Sequence, residues 1–154
     1  MGQSTNGILA YGYNLGGDEG GWKIAEADEY GDWEPHWPDA DDDPEGAVER
    51  FLLASVGFTE TDWRADGYRD RKKTAQDQVG VQLESYCSGD YPMWLLAAHV
   101  ITVYRGDVKE IDFAELMADR LQGEWDAKLA LAIQTLGITP KQDKPKWLLV
   151  SYWG

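Results

Sequence analysis

The spacing of apolar residues divides the chain into segments with a period of two and segments with a helical period, and each period predicts one kind of element. Alternation, or a short apolar run bounded by glycine, proline or polar residues, predicts a strand. Two of these runs are apolar on both faces, which indicates strands buried inside a sheet. Five strands are predicted, at residues 8–15, 22–25, 79–87, 93–105 and 147–153.

Helical spacing occurs together with residues that cap helices. Asp43 and Pro44 are suited to the start of a first helix, and Gly57 is suited to its end in the left-handed conformation. The polar residues 59–78 predict one short helix, whose bounds the pattern does not fix. The sequence therefore predicts two helices between residue 43 and the third strand.

A longer helix is predicted between Asp112 and Gly137. Asp112 and Glu115 form a capping box at its start, and Gly137 is suited to its end. Gly123 is expected to kink or split this helix, because glycine costs about 1 kcal/mol relative to alanine in a helix interior. Its predicted apolar face consists of Phe113, Met117, Leu121, Trp125, Leu129 and Ile133.

The order of these elements predicts the fold class. Hairpins join strands that follow one another and helices separate the others, as in α+β domains. We expect a single α+β domain over residues 1–154, with an antiparallel or mixed sheet of about four to five strands and two or three helices packed on one face. A chain of 154 residues with 43% hydrophobic residues can bury a sizeable core in one domain.

Charge is distributed unevenly along this domain. Residues 1–49 contain thirteen acidic residues and one basic residue, a net charge of −12, whereas residues 50–154 carry only −2 of the total of −14. Eleven carboxylates lie within residues 26–49, which contain no lysine or arginine. Because prolines interrupt them, residues 26–44 are predicted to form a surface loop. This charge repels the phosphates of nucleic acids and membranes, so we expect no direct nucleic-acid or membrane partner.

Aromatic residues accompany the carboxylates of this loop, and the two together predict a binding surface. Carboxylates steer a basic partner toward the surface, and aromatic side chains supply apolar area once contact is made. The alternative is a solvated loop whose aromatic residues pack back on the domain. The predicted binding residues are Trp33, Trp37, Asp39, Asp41, Asp42, Asp43 and Glu45, with Tyr30 as a further aromatic contact.

The same loop partly matches the calcium-binding loop of helix-loop-helix proteins, but neither register fits. Asp39, Asp41 and Asp43 match the first acidic positions, yet Pro44 occupies the place of the required glycine. A shift of two residues restores the glycine but places Leu52 where a bidentate glutamate is needed. We therefore expect no metal ion.

Sequence motifs of catalysis and of cofactor binding are not found. No serine lies in a nucleophile-elbow motif, and the glycines of residues 12–21 match neither a dinucleotide nor a P-loop pattern. His36, His99 and Cys87 lack the paired short spacing of zinc ligands. A single cysteine forms no internal disulfide, which suits a reducing compartment. We expect no catalytic residue and no cofactor.

One cluster of basic residues stands against this acidic background. Its members are Arg64, Arg69, Arg71, Lys72 and Lys73. We predict that they form a solvated helix face. The alternatives are contact with phosphate, or pairing with the acidic loop of the same chain or of a second subunit.

Three stretches of the chain resemble small uncharacterised proteins encoded by actinobacterial phages and prophages. They are residues 8–26 (ILAYGYNLGGDEGGWKIAE), 79–108 (VGVQLESYCSGDYPMWLLAAHVITVYRGDV) and 144–154 (KPKWLLVSYWG). That group has no assigned activity, so the resemblance implies a setting, the cytoplasm of an infected bacterium, and no catalytic residue. Accessory phage proteins of this kind often bind and disable host proteins.

The sequence therefore predicts a non-enzymatic acidic binding protein that docks on a basic surface of a host protein, as an inhibitor or as a nucleic-acid mimic. One alternative is a small-ligand-binding domain with an aromatic-lined pocket, and another is a small carboxylate- or divalent-metal-dependent hydrolase. No apolar run is long enough to span a bilayer and no signal peptide is recognised, so we expect a cytoplasmic protein. The sequence leaves homodimerisation open.

Overall fold

The computed structural model describes residues 5–17 and 19–154, and it has the predicted α+β architecture. Five strands and four helices follow one another along the described chain, one helix more than expected. They are β1 (Thr5–Gly17), β2 (Gly21–Trp22), α1 (Pro44–Ser55), α2 (Tyr68–Val79), β3 (Gln82–Ser88), β4 (Pro92–Tyr104), α3 (Phe113–Gln122), α4 (Trp125–Leu136) and β5 (Lys146–Trp153).

Strand β1 lies at the centre of a mixed sheet. It pairs antiparallel with β4 on one side, and with β5 on the other side from Thr5 to Gly12. The short β2 continues that second side at Gly16 and Gly17. Strand β3 is antiparallel to β4 and meets β5 in parallel through two residue pairs. The four long strands therefore form a closed ring of pairings, and the sheet curls until its ends meet.

Two irregularities help the sheet to curl. The register of β1 and β4 shifts between Tyr11 and Gly12 and again between Asn14 and Gly16, and bulges of this kind bend a strand and increase its twist. At Gly12 the two backbones are so close that a Cβ atom would lie 1.8 Å from the carbonyl oxygen of Leu96. Only glycine fits at this point of β1.

Apolar residues are buried on both faces of the curled sheet. The larger core lies between the sheet and helices α1 and α4, and includes Tyr11, Trp22, Trp37, Leu52, Leu129 and Leu136. The smaller core lies on the opposite face and consists of Ile8, Ala10, Leu95 and Ala97. This arrangement explains why β4 is apolar on both faces, since successive residues of that strand enter different cores.

The helix ends that the sequence predicts are confirmed. The carboxylates of Asp43 and Asp112 each accept a backbone N–H of the following helix at 3.0 Å. Gly57 and Gly137 adopt left-handed φ angles of 87° and 68° after α1 and α4. These ends depend on local chemistry, which is why spacing and residue type are sufficient to locate them.

The predicted long helix is split at Gly123, and this changes which residues are buried. Glu124, beside that glycine, adopts a left-handed φ of 53° and starts α4 in a new register. Trp125 and Leu129 of α4 are buried, whereas Leu116 is the one buried residue of α3. Phe113, Met117 and Leu121 are 65%, 56% and 75% exposed. The first half of the predicted apolar face is therefore wrong.

Two strands differ in extent from their predictions. The strand expected at residues 22–25 is only two residues long, and a single bridge between Ile24 and Pro140 continues its course. Strand β5 pairs with β1 along its length but with β3 only at its end. Leu149 of β5 is 80% exposed, so this strand is less enclosed than its apolar sequence indicates.

Candidate functional site

The acidic loop, residues 26–44, is folded back on the domain at several points. A carboxylate oxygen of Asp28 accepts two backbone N–H groups of the following turn, at 2.8 and 2.9 Å. The N–H of Trp22 in β2 donates to the carbonyl of Gly31 at 2.8 Å. These bonds give the loop a defined conformation, so its side chains have defined neighbours.

Trp37 holds this loop to the core and does not contact solvent. Its side chain is 3% exposed, and its indole Nε1–H donates to the backbone carbonyl of Leu136 at 3.1 Å. That carbonyl lies in the last turn of α4, where helical acceptors lack a partner within the helix. The prediction that Trp37 contacts a partner is corrected: in this conformation it is a core residue.

Trp33 is the partly exposed tryptophan of the loop. Its ring lies 5.1 Å from the ring of Trp22 and 5.1 Å from that of Trp37, and both pairs are nearly perpendicular. Edge-to-face contacts of this kind fix the orientation of an aromatic ring. Tyr30, by contrast, is 79% exposed. Trp33 is therefore the aromatic residue of the loop with both a fixed position and an accessible surface.

The four aspartates of the loop have different environments. Asp39 and Asp43 each lie 3.7 Å from the guanidinium of Arg50. Asp41 and Asp42 are exposed and have no ion-pair partner among residues 5–17 and 19–154. Long ion pairs between exposed side chains contribute little stability, but they reduce the charge available to a partner. Of these four aspartates, Asp41 and Asp42 are thus the two that have no ion-pair partner in the described chain.

A groove of about 480 Å³ lies beside these two aspartates. We call it the tryptophan groove. Its lining includes Trp22, Trp33, Trp94, Asp41, Asp42 and Ser88. Residues from β2, the acidic loop, β3 and β4 meet here, because β2 pairs with β1, β1 pairs with β4, and β4 pairs with β3. Indole rings form its apolar surface, and the two free carboxylates supply its charge.

Glu45 lies apart from this groove. It lines a second cleft of about 510 Å³, between α1, α2 and the sheet. Burial raises the pKa of the Glu45 carboxyl, and the nearby charges of Glu84, Asp43 and Glu49 raise it further. Burial also raises the pKa of Glu84. The predicted binding residues therefore divide between two clefts and do not form one continuous patch.

The basic cluster is engaged by its own neighbours. Arg71 contacts Glu60 at 2.6 Å, and Lys72 contacts Glu49 at 2.9 Å. The guanidinium of Arg64 lies 4.8 Å from the ring centre of Trp63. Among the residues that the structure describes, no ion pair joins this cluster to the loop of residues 26–44. The loop is therefore not neutralised by the basic cluster.

A polar and aromatic cluster that the sequence does not reveal lies on the helix side of β1. We call it the Tyr11 cluster. The Tyr11 hydroxyl donates to Asp126 at 2.6 Å, and Asp126 also pairs with Arg120 at 2.6 Å. His99 stacks on Trp125 at 4.8 Å beside it. Burial, then the hydrogen bond to Asp126, raises the pKa of Tyr11 to about 12. The cluster joins β1 to both α3 and α4.

The Tyr11 cluster makes stability depend on pH in a defined direction. The Arg120 hydrogen bond, followed by that of Tyr11, lowers the Asp126 pKa below its ordinary value of 3.8. The ionised Asp126 carboxylate therefore stabilises the folded state fully at pH values above 3.8. This stabilisation is lost as the pH falls below 3.8 toward the lower pKa of the folded state. We expect Asp126→Asn to lower the free energy of unfolding by about 1 kcal/mol at pH 7, because solvent screens this half-exposed pair, and by less at pH 3. Urea unfolding at both values measures this, and an equal loss at both would contradict it.

Cys87 is the single cysteine of the chain, and its thiol is hydrogen-bonded to a carboxylate. The Cys87 thiol donates to Glu19 at 3.2 Å, and this hydrogen bond raises the thiol pKa. A protonated thiol is a poor nucleophile. Within the described ranges, no group of three or more His, Cys, Asp and Glu residues is arranged to hold a metal ion. Those ranges also contain no helix with the length and apolar character that crossing a membrane requires.

Arg50 was not identified from the sequence as a neighbour of the loop aspartates, nor were Trp94 and Ser88 identified as neighbours of Trp33, and the reasons differ. Arg50 follows Asp43 by seven residues, which is two helical turns, so helical spacing could have revealed that both lie on one face of α1. Trp94 belongs to β4, and Ser88 is the last residue of β3. Their approach to Trp33 depends on strand pairing, for which a single sequence gives no signal.

No protein-family model, curated protein or solved structure matches this chain.

Proposed function

We propose that this protein is a non-enzymatic binding protein whose acidic loop and tryptophan groove dock on a basic surface of another protein. The observation that carries the proposal is the position of Asp41 and Asp42, which have no cationic partner in the described chain and border a groove lined by tryptophans. A surface with free charge beside fixed aromatic rings combines the two features that protein interfaces use for attraction and for retention.

Long-range attraction comes from the net charge of residues 1–49, which is −12. Clustered charge of one sign raises the association rate of a partner of opposite sign by a factor of about 10 to 1,000. Asp39 and Asp43 pair with a single cation, Arg50, which offsets only one of these negative charges. Most of the steering field therefore remains available to a partner.

Retention after contact comes from the fixed geometry of the groove. Trp33 is held by two perpendicular ring contacts, and Trp37 ties the loop to α4. A side chain that is already ordered loses little entropy when a partner binds. Tryptophan is also among the residues that contribute most binding energy at interfaces. The groove is thus prepared for binding in the free protein.

The partner that this surface suits is a basic protein. Direct contact with nucleic acid or an anionic membrane is opposed by charge. Mimicry of a nucleic acid is a narrower version of the proposal, but the carboxylates are crowded in one loop and not spread at the regular spacing of phosphates. The resemblance to phage and prophage proteins favours a bacterial host protein in the cytoplasm, with inhibition as the outcome.

A second candidate function is binding of a small ligand in the second cleft. Its volume of about 510 Å³ is in the range of ligand sites. Leu52, Leu83 and Trp125 give it an apolar lining. Glu45 and Lys128 also line the cleft and can make polar contacts with a ligand. Ligand binding there would be unaffected by changes at Asp41 and Asp42, which separates it from the main proposal.

The test is capture of proteins from an actinobacterial lysate with three versions of the immobilised chain. Asp41→Asn/Asp42→Asn removes charge at the groove, and Asp107→Asn/Glu110→Gln removes the same charge at exposed positions outside it. We expect the wild type to retain a basic protein at low salt and to release it at high salt. The first variant should bind the same protein on the order of 10-fold more slowly. The second variant should behave as the wild type does. A partner retained equally by all three chains at both salt concentrations would contradict the proposal.

A further inference from the structure

We infer that the tryptophan groove is a pocket for an arginine side chain of the partner. This inference rests on the proposed function and names the chemistry that would be recognised at its centre. Three observations support it: the aromatic lining, the fixed orientation of Trp33, and the two free carboxylates at the same groove. Together they favour a planar cation over any other side chain.

The aromatic lining favours a cation. The flat face of an indole carries partial negative charge and attracts ammonium or guanidinium groups, and tryptophan is the most effective ring for this contact. Trp22, Trp33 and Trp94 all line the groove, but Trp22 and Trp94 are only 9% and 6% exposed, so Trp33 supplies most of the accessible ring surface. Neutral apolar ligands could use the same rings but would leave the neighbouring carboxylates without a counter-charge.

Asp41 and Asp42 supply the complementary charge. Arg50 pairs with Asp39 and Asp43 and forms no ion pair with Asp41 or Asp42. Two adjacent carboxylates that are exposed to water and unpaired in the described chain lose solvation when a partner covers them. A cation between them and the indole rings would compensate that loss. Charge complementarity therefore requires the partner to bring a positive group into the groove.

Arginine suits this environment better than lysine. Its guanidinium is planar, stacks on aromatic rings, is weakly hydrated, and can donate to two carboxylate oxygens at once. The protein itself packs guanidinium groups in this way, with Arg64 over Trp63 and Arg120 over Tyr11, each at 4.8 Å from the ring centre. A volume of about 480 Å³ leaves room for the side chain together with adjoining partner atoms.

Three synthetic nonapeptides of glycine and serine test this inference. They carry arginine, lysine or citrulline at the same three positions, and citrulline has the shape of arginine without its charge. We expect the arginine peptide to bind the wild type at least about 5-fold more tightly than the lysine peptide, in line with the stronger arginine contact, and the citrulline peptide not to bind. Isothermal titration at low salt measures the three affinities.

Variants assign the effect to the groove. Trp33→Leu should bring the arginine affinity down to that of lysine, because leucine keeps apolar volume without the ring face, and Trp33→Phe should keep part of the preference. Asp41→Asn/Asp42→Asn should weaken both cationic peptides by about tenfold, whereas Asp107→Asn/Glu110→Gln should leave them within about twofold. A preference for arginine that survives in Trp33→Leu would overturn the inference.

A measurement on the wild-type protein tests the inference even if the variants do not fold. The indole N–H signals of ¹⁵N-labelled protein report each tryptophan separately. We expect the arginine peptide to shift the signals of Trp22, Trp33 and Trp94, and to leave those of the exposed Trp63 and Trp153 unchanged. Shifts confined to other tryptophans, or equal affinities for the arginine and lysine peptides, would refute the arginine pocket. In that case, salt-dependent capture of a basic protein would still support the proposed function. Loss of that capture with the arginine preference retained would reject the proposed function alone.

Discussion

Replacement of Gly12 by alanine is expected to prevent the native sheet from forming, with a loss of more than about 4 kcal/mol in the free energy of unfolding. The added Cβ atom would lie 1.8 Å from the carbonyl oxygen of Leu96, 2.8 Å from its carbonyl carbon and 2.9 Å from the Cα of Ala97. All three are backbone atoms of β4, so no side-chain rotation relieves the overlap. The two strands would have to separate at the point where their register shifts.

Far-UV circular dichroism and urea unfolding of Gly12→Ala measure this effect. Gly57→Ala is the matched control, because Gly57 has a φ of 87° but no heavy atom outside its two chain neighbours lies within 4 Å of the position that an added Cβ would take. The control should lose only about 1 kcal/mol, from the left-handed conformation alone. A Gly12→Ala protein that unfolds within about 1 kcal/mol of the wild type would show that β1 and β4 are not packed as described.

Replacement of Trp37 by alanine should cost about 3 to 5 kcal/mol, the range measured for large aromatic residues in cores. The indole is 3% exposed, packs against Trp33, and donates its N–H to the Leu136 carbonyl. Its loss leaves a cavity and an acceptor without its partner at the end of α4. Because Trp37 is the fixed point of the acidic loop, the tryptophan groove should lose its shape as well.

Two further variants separate the causes in urea unfolding. Trp37→Phe keeps much of the apolar area but removes the N–H donor, so it should cost about 1 to 3 kcal/mol. Trp63→Ala changes a tryptophan that is 63% exposed and should stay within about 0.5 kcal/mol of the wild type. Equal losses for Trp37→Ala and Trp63→Ala would mean that the acidic loop does not depend on Trp37 for its position.

The elements of this fold could be predicted because their signals are local. The caps at Asp43 and Asp112, the left-handed glycines after α1 and α4, and the break at Gly123 each depend on a few adjacent residues. Hydrophobic alternation located the strands for the same reason. The α+β class followed from the order of the elements.

The arrangement of those elements could not be predicted from the same signals. Nothing in the spacing of residues 147–153 indicates that they pair with β1, or that β3 meets β5 in parallel. The burial of Trp37 and the exposure of Phe113 follow from how helices pack on the sheet. An aromatic residue in an acidic loop has the same sequence pattern whether it faces the core or solvent, and packing decides between the two.

The candidate site was located in part. The carboxylates of the loop were recognised from charge alone, and Asp41, Asp42 and Trp33 do line one groove. Asp41 and Asp42 precede α1 and line that groove, whereas Glu45 lies in the first turn of α1 and lines the second cleft. Trp94 lies 61 positions from Trp33 in the sequence, so only the folded sheet brings the two together.

The pairing of Thr5 with Trp153 joins residues from opposite ends of the described chain. Contacts between such distant residues impose a large loop-closure entropy before any stabilisation is gained. Proteins dominated by contacts of this kind fold on the order of milliseconds to seconds. Until β1 has paired with β4 and β5, the backbone groups of these strands lack their native partners and can associate with other chains. The dense negative charge near the amino-terminal strand opposes this association, because incompletely folded copies with charge of the same sign repel one another.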